Sequence, residues 1–411
     1  MVFTWWIVGL KDKEPDVIYL IIILTFYFLH LDFFVRFFCF DETEHDFLVG
    51  CQVYNYDSTI AQKACAFACL SFLALVLGLL TRHRRVRIWE GVDASRLTLI
   101  FRWTLGICTG INVWFVFLSQ TTDYLEFNET VSEHSLLWQI KAIPLVAGCL
   151  MFGNGVRFQL IDKAMLVTFL GLSLLTLNRS TFLEVIAIVG VYYISRYDNA
   201  IKKRYFVALT LLLVCVNAIA IYRETREFSG SLIAEKGNTI LLKNEYLFFL
   251  DALLSETMVQ FESRRLGGET FLDAFKLLVP SVARKAVGIP DDAHPIFEQI
   301  GWATFPDYGG GFCFLAECYL NFGWAGAACM FLFGAILKRF YTLMDYARRN
   351  KLFCVYSVCP LVFLDLSLMY RNGAAAHIKY LIQICAIALV ILFVCSKKST
   401  VVNLVLSPTV K

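Results

Sequence analysis

Charge is what this sequence has least of. Of its 411 residues, 17% are Asp, Glu, Lys or Arg, against about 25% in soluble globular domains. The apolar set makes up 58% of the chain and the mean hydropathy is +0.63. That balance excludes a water-soluble domain. The formal net charge of +3 is too small to argue for nucleic acid as a partner. No Cys-x-x-Cys spacing occurs among the 14 cysteines, most of which (Cys65, Cys69, Cys108, Cys149, Cys215, Cys329 and Cys385 among them) lie inside apolar runs. They are expected to be small apolar fillers rather than a disulfide framework or a zinc site. No small-residue cleavage site follows a basic start and a short apolar stretch, so the first apolar helix is expected to remain in the chain. Internal repeats and low-complexity tracts are absent as well.

What is present is a series of long apolar runs. A helix of about 20 apolar residues crosses a bilayer, and the runs predict helices near 16–40, 60–80, 97–118, 136–153, 164–177, 181–195, 206–222, 312–337, 352–370 and 380–395. Lys and Arg alternate between the connections. Arg82, Arg84, Arg85, Arg87 and Arg96 follow the second run, Lys202, Lys203 and Arg204 the sixth, and Lys338, Arg339, Arg348 and Arg349 the eighth. The intervening connections 41–59 and 119–135 carry Asp and Glu but no Lys or Arg. Positive charge marks the cytoplasmic side, so the pattern predicts an even number of spans with both termini inside.

The expected fold is an all-α polytopic membrane protein of about ten transmembrane helices, in three parts. A seven-helix bundle covers 1–222, a large partly helical outer loop covers 223–311 between helices seven and eight, and a three-helix bundle covers 312–411. Within the loop, 245–261 has apolar residues at helical spacing with Asp251, Ser255 and Glu262 on another face. It and 270–287 are expected to be helices lying at the bilayer surface. Helices five and six are joined only by Asn178-Arg179-Ser180, and they are also consistent with one broken pair dipping part way across.

Cations near the outer face are not needed for topology, and an Arg within the apolar layer costs about 2.5–3.5 kcal/mol on insertion scales. They include Arg179, Arg264, Arg265, Arg284, Lys285, Arg371 and Lys379, with His377 beside them. A guanidinium pairs bidentately with phosphate oxygens at any relevant pH, which suits an outward pocket for a lipid diphosphate. The alternatives stay open: Arg179 as an interfacial anchor or partner of Glu184, Arg264-Arg265 as a solvated turn before Gly267-Gly268, Arg284-Lys285 as a headgroup contact, and His377 or His294 as structural histidines. The densest patterning is 291–326. Gly309-Gly310-Gly311 follows Asp307-Tyr308 and would let backbone approach a ligand. Glu317 and Asn321 lie one helical turn apart where polar groups must be paired. A carboxylate there suits a general base for a sugar hydroxyl if it reaches within about 3 Å, and equally a cap or pair inside the bundle.

Gly309-Gly310-Gly311, Leu315-Ala316-Glu317, Tyr319, Asn321-Phe322-Gly323 and Gly326, leading into an apolar helix that ends Leu337-Lys338-Arg339-Phe340-Tyr341, resemble the C-terminal signature of the oligosaccharide repeat-unit polymerases, the Wzy-type O-antigen and capsule polymerases. Asn178-Arg179-Ser180-Thr181 similarly resembles that family's arginine between two mid-chain helices. The resemblance spans the architecture of nearly the whole chain and about 35 positions in detail. It implies a multi-pass protein of the bacterial inner membrane with its active site facing the periplasm, moving a glycan from undecaprenyl diphosphate onto a lipid-linked repeat unit. It implies no metal, no nucleotide sugar and no other cofactor, with the lipid bilayer and a chain-length regulator as partners. Arg179, Arg264, Arg265, Arg284, Tyr308, Asn321 and Arg371 would then bind the diphosphate or substrate, and Asp307, Glu317 and His377 are the candidate catalytic groups. Related O-antigen ligases carry a histidine about a dozen residues before the equivalent of Gly323; this chain has Asp307 to Gly311 there, which favours the polymerase.

Two rival classes remain. A glycosyltransferase using polyprenyl-phosphate sugars would place acids in the first outer loop, where Asp41-Glu42-Thr43-Glu44-His45-Asp46 lies; a translocated acidic loop reads the same way. A flippase would show repeat symmetry and charge along a central path, whereas the two halves here are unlike. For Arg179, exchange to Lys keeps the charge and loses the fork geometry. Arg179→Lys and Arg179→Ala are both expected to shorten glycan chains on a gel of membrane glycolipids, and a wild-type ladder from Arg179→Lys would refute bidentate pairing.

Overall fold

The structure is a computed structural model that describes residues 58–81, 85–88, 93–119, 140–153, 156–175, 245–262, 264–279, 283–284, 288, 295–304, 312–349, 358, 361–362, 365–366, 369, 373–395 and 402–405. The described elements are α1 (Ser58–Leu79), β1 (Arg85–Ile88), α2 (Ala94–Ser119), α3 (Ala142–Gly153), α4 (Leu160–Leu175), α5 (Glu245–Gln260), α6 (Glu269–Lys276), α7 (Pro295–Thr304), α8 (Phe314–Phe322), a 3-10 turn (Gly323–Gly326), α9 (Ala327–Arg349), α10 (Ala374–Cys395) and β2 (Val402–Val405). Apart from a four-residue antiparallel ladder between β1 and β2, a small departure from an all-α chain, these elements are helices. The expected helices at 16–40, 181–195 and 206–222 lie outside the described residues, as does most of 352–370.

Among the described residues, four stretches are long and apolar enough, by length and composition alone, to cross a membrane: Gln62–Leu79, Ala94–Phe115, Phe314–Phe340 and Ala374–Cys395. Their outer surfaces are apolar, with Leu73, Leu77, Trp103, Leu332, Val390 and Phe393 each more than half exposed. In a soluble protein such a surface would mark a binding face or a liability; on helices of this length it is a lipid-facing one.

The chain divides into two compact units, one comprising Met1–Thr81, Glu227–Lys338 and Asp365–Lys379 and the other Arg82–Arg226, Arg339–Leu364 and Tyr380–Lys411. In the second, α2 packs on α3 and α4. Asp93 caps α2, its Oδ1 accepting from the amides of Ser95 and Arg96 at 3.0 and 3.3 Å. Arg102 forks onto Asp162, with Nε 2.5 Å from Oδ1 and Nη2 3.2 Å from Oδ2. The Asp162 side chain sits in the first turn of α4, where a carboxylate faces the positive end of the helix. The helix expected over 136–153 starts only at Ala142, with Pro144 in its first turn, the position that needs no intrahelical amide.

In the first unit, one expectation is corrected. The apolar run 312–337 reads as a single span, but it folds back on itself. Phe314 and Phe333 have ring centroids 5.5 Å apart; nineteen residues of straight helix would separate them by about 28 Å. Cys318 and Cys329 also touch, in the same antiparallel register. The reversal is built from glycine. Gly323 has φ +59°, and a Cβ on Gly326 would stand 2.3 Å from the carbonyl oxygen of Cys318. α8 is therefore a nine-residue leg of about 13 Å, less than half of a bilayer core of about 30 Å, and α9 runs back beside it.

α1 lies against this hairpin. Phe67 packs edge-on to Tyr319 and Trp324 at 5.2 and 5.8 Å, and farther along α1, Gly78 meets α9 backbone to backbone. A Cβ on Gly78 would be 2.2 Å from the Phe331 carbonyl oxygen, and one on Gly334 would be 2.3 Å from that of Leu75. α5 also belongs to this core rather than to an isolated surface layer. It packs on α1, α7 and α8, Leu253 and Leu254 are fully buried, and Ser255, expected on a polar face, is 4% exposed. The helix expected over 270–287 ends at Lys276, where the amides of Leu277 and Leu278 turn back to the carbonyls of Asp273 and Phe275.

The glycine contact gives a direct test. Gly78→Ala forces two helix backbones apart and is expected to destabilise by about 1–3 kcal/mol, the range for overpacked cores, read as a lower melting temperature in detergent. Gly110→Ala, where a Cβ meets nothing within 4 Å, is expected to leave the melting temperature unchanged or slightly raised.

Candidate functional site

The polar residues of α8 organise the first unit. Glu317 is fully enclosed. Its Oε1 accepts from the Thr270 hydroxyl at 2.7 Å and its Oε2 from the Ala374 amide at 2.6 Å. One turn on, Asn321 donates through Nδ2 to the Thr270 oxygen at 2.7 Å and to the Glu317 carbonyl at 2.8 Å, and its Oδ1 accepts from the Gly268 amide at 2.9 Å. The amides of Leu266 and Gly267 then donate to the carbonyls of Leu320 and Asn321 at 3.2 and 3.0 Å. The last turn of α8 thus has its free carbonyls met by the 264–268 segment, and the first turn of α10 has an amide met by Glu317.

Local sequence makes this possible. Gly267 (φ +61°) and Gly268 (φ +99°) carry the backbone into α6 through the left-handed region and bring their amides against α8. Gly373 (φ +78°) stands just before α10, and a Cβ there would sit 3.0 Å from Glu317 Oε2. A glycine therefore leaves the space in which the carboxylate reaches the helix N-terminus, where it also meets the positive end of the α10 dipole. Asp273, one turn beyond Thr270 and 8% exposed, accepts from Lys276 at 2.6 Å. That hydrogen bond, aided by the negative charges of Asp273 and Glu269, outweighs desolvation and holds the Lys276 ammonium above its ordinary range.

Glu317 and Asn321, one turn apart in the sequence, are joined in one network, and both Glu317 oxygens are occupied. That is the geometry of a brace and not of a base open to a hydroxyl. Arg264 is exposed. Arg265 lies over the Tyr319 ring at 4.6 Å and donates to the Phe261 carbonyl and, at 3.4 Å, to the Tyr319 hydroxyl; its guanidinium also fills the space a Cβ on Gly323 would need. Arg284 is 6% exposed and lies within electrostatic range of Lys379 on α10. His377, in the first turn of α10, has Nδ1 2.7 Å from Oδ1 of Asp365. Arg179, His294, Asp307, Tyr308, the triple glycine and Arg371 lie outside the described residues. Among the described residues no cluster of three or more His, Cys, Asp or Glu is placed to hold a metal ion.

Thr270 and Asp365 were missed by the sequence reading. Asp365 had a signal, since a carboxylate inside the apolar run 361–370 requires a partner. Thr270 had none beyond its place after two glycines.

Removing the Glu317 carboxylate leaves the Thr270 hydroxyl and the Ala374 amide enclosed without an acceptor. Glu317→Ala is expected to destabilise by about 1–3 kcal/mol, measured as a fall in melting temperature. Glu317→Gln keeps an acceptor for Ala374 and places a donor toward the Thr270 oxygen, so it should retain most of the stability. Compared with known families, curated proteins and solved structures, the chain matches none, and any functional reading stands on this geometry and on the sequence.

Proposed function

We propose that this chain is an oligosaccharide repeat-unit polymerase of the bacterial inner membrane. It transfers a glycan from undecaprenyl diphosphate onto a lipid-linked repeat unit at the periplasmic face, with both termini cytoplasmic and a chain-length regulator as partner. The observation that carries the reading is that Arg284, enclosed in the first unit, lies within electrostatic range of Lys379 near the start of α10. Like charges held near one another at a partly enclosed position repel, and an anion bound beside both would be attracted to each. A diphosphate is such an anion, and the brace through Glu317 fixes the start of the helix that carries Lys379.

The chemistry needs little else. Breaking a glycosyl–diphosphate bond requires above all that negative charge on the departing diphosphate be neutralised, and cations held in place beforehand do this without reorganising. The half-length α8, with its terminal carbonyls met by the 266–267 amides, suits a site open to the outer leaflet, because irregular backbone at membrane depth is tolerated only where protein or a water-filled cavity surrounds it.

Deleting the gene is expected to collapse surface glycan to a single repeat unit on a glycolipid gel. Complete loss of attached glycan would instead point to a ligase, and an unchanged ladder would refute the reading. In the purified protein Arg284→Ala is expected to slow chain extension by about 10²–10³-fold, the range for removing one preorganised charge-stabilising donor, and Lys379→Ala should weaken it in the same direction.

A further inference from the structure

His377 and Asp365 form a pair that the brace does not use. Their side chains are 10% and 6% exposed, and Nδ1 and Oδ1 are 2.7 Å apart. An ionised carboxylate can only accept, so the shared proton belongs to Nδ1 and the lone pair to Nε2, which no described residue engages. The second oxygen of Asp365 is enclosed with no hydrogen-bond partner among the described residues. Glu317 offers the contrast within the same unit: as a brace it uses both oxygens. A pair built only to join two segments would not retain an unsatisfied oxygen, since such groups are costly and rare. A carboxylate that orients one ring nitrogen and leaves the other open is instead the arrangement of a base and its orienting group. Among the described residues, the charged and titratable groups tied to this turn are Asp365 from the preceding segment, Glu317 of α8 through the Ala374 amide, and Lys379 on α10 itself, with Arg284 in electrostatic range of Lys379.

We propose that His377 is the proton acceptor for the attacking sugar hydroxyl and that Asp365 is its positioning residue; this rests on the polymerase reading above. As the hydroxyl oxygen of the acceptor repeat unit bonds to the anomeric carbon, its proton passes to Nε2. The bond from that carbon to the diphosphate oxygen breaks, and its electron pair leaves with undecaprenyl diphosphate. The imidazolium, stabilised by the Asp365 carboxylate, then releases the proton to water. The first turn of α10 is fixed by Glu317 and Gly373, so the ring is held in place before the acceptor arrives.

The test uses the full-length protein in lipid nanodiscs with undecaprenyl-diphosphate-linked repeat units, following chain extension against pH for the wild type, His377→Gln, Asp365→Asn and Asp365→Glu, with melting temperature as the folding control. His377→Gln is expected to lose about 10²–10⁴-fold in kcat with KM nearly unchanged. Asp365→Asn should lower kcat with KM nearly unchanged, because the ring is no longer held in the orientation that presents Nε2, and Asp365→Glu should recover part of the rate. Wild-type kcat in a folded His377→Gln protein overturns the proposal. So does an Asp365→Asn protein whose melting temperature falls while its kcat and KM stay those of the wild type, the result expected of a purely structural pair. If His377→Gln does not fold, the Asp365 variants decide alone, by whether the loss is confined to kcat and partly recovered in Asp365→Glu. Wild-type protein that extends no chains overturns the polymerase reading together with this one, whereas a wild type that extends chains alongside unaffected variants overturns this one only.

Discussion

The Glu317 carboxylate is the contact on which the first unit turns. It sits on a nine-residue helix, accepts hydrogen bonds from the Thr270 hydroxyl and the Ala374 amide, and so joins segments 47 and 57 residues away in sequence. Helix ends explain why such a contact is needed. Every helix leaves amides free at its start and carbonyls free at its end, and in an apolar layer no water is at hand to meet them. A helix that crosses the whole layer keeps its ends near water, whereas α8 is too short for that. Its terminal carbonyls at Leu320 and Asn321 are met by the amides of Leu266 and Gly267. The N-terminus of α10 is in turn met by Glu317.

Glycine sets how closely these segments approach. Where lipid surrounds helices, apolar side chains gain little by leaving one apolar medium for another, so association depends on close van der Waals packing and on hydrogen bonds. Gly78 and Gly334 let α1 and α9 touch along their backbones, and Gly326 lets the chain turn back onto Cys318. Arg265 then occupies the space beside Gly323 and stacks on Tyr319. A cation there serves packing as much as charge, and a lysine would not reproduce its planar stacking and forked donation.

The sequence made the apolar helices legible and their reversals illegible. The runs at 60–80 and 97–118 closely match α1 and α2 because burial in lipid demands length and composition, both of which can be read directly. The run at 312–337 satisfies the same demand, and hydropathy cannot distinguish a straight helix from a folded one of equal composition; only Gly323 and Gly326 hinted at the bend. The last helix begins at Ala374, six residues before the apolar run suggested, because Gly373 and Glu317 supply a start that a window of hydrophobicity ignores. Within the site, Glu317 and Asn321 were visible as a pair by their spacing. Their partners Thr270 and Gly268 were not, because the contact is fixed by how α6 enters its first turn and not by any pattern along the chain. His377 was singled out in the sequence and Asp365 was not, although a carboxylate in an apolar run calls for a partner; twelve residues of intervening chain hid that the two face one another.

Two carboxylates in one unit therefore have different environments, and the difference constrains the proposed chemistry. Glu317 is saturated by donors on both oxygens, so a proton drawn from a sugar would have to displace Thr270 or Ala374 and loosen the brace. Asp365 donates its influence through an imidazole and leaves a nitrogen open, so the proton can come and go without breaking any contact between helices. A departing diphosphate is already a good leaving group when cations hold it, and the base then adds about 10²–10⁴-fold on top of a larger electrostatic contribution. On the proposed reading, the carboxylate that braces the helices and the one that orients the base are different residues. A group that holds a short helix in an apolar layer cannot also exchange protons in every cycle, and the proposed mechanism gives those two tasks to different side chains, Glu317 and His377.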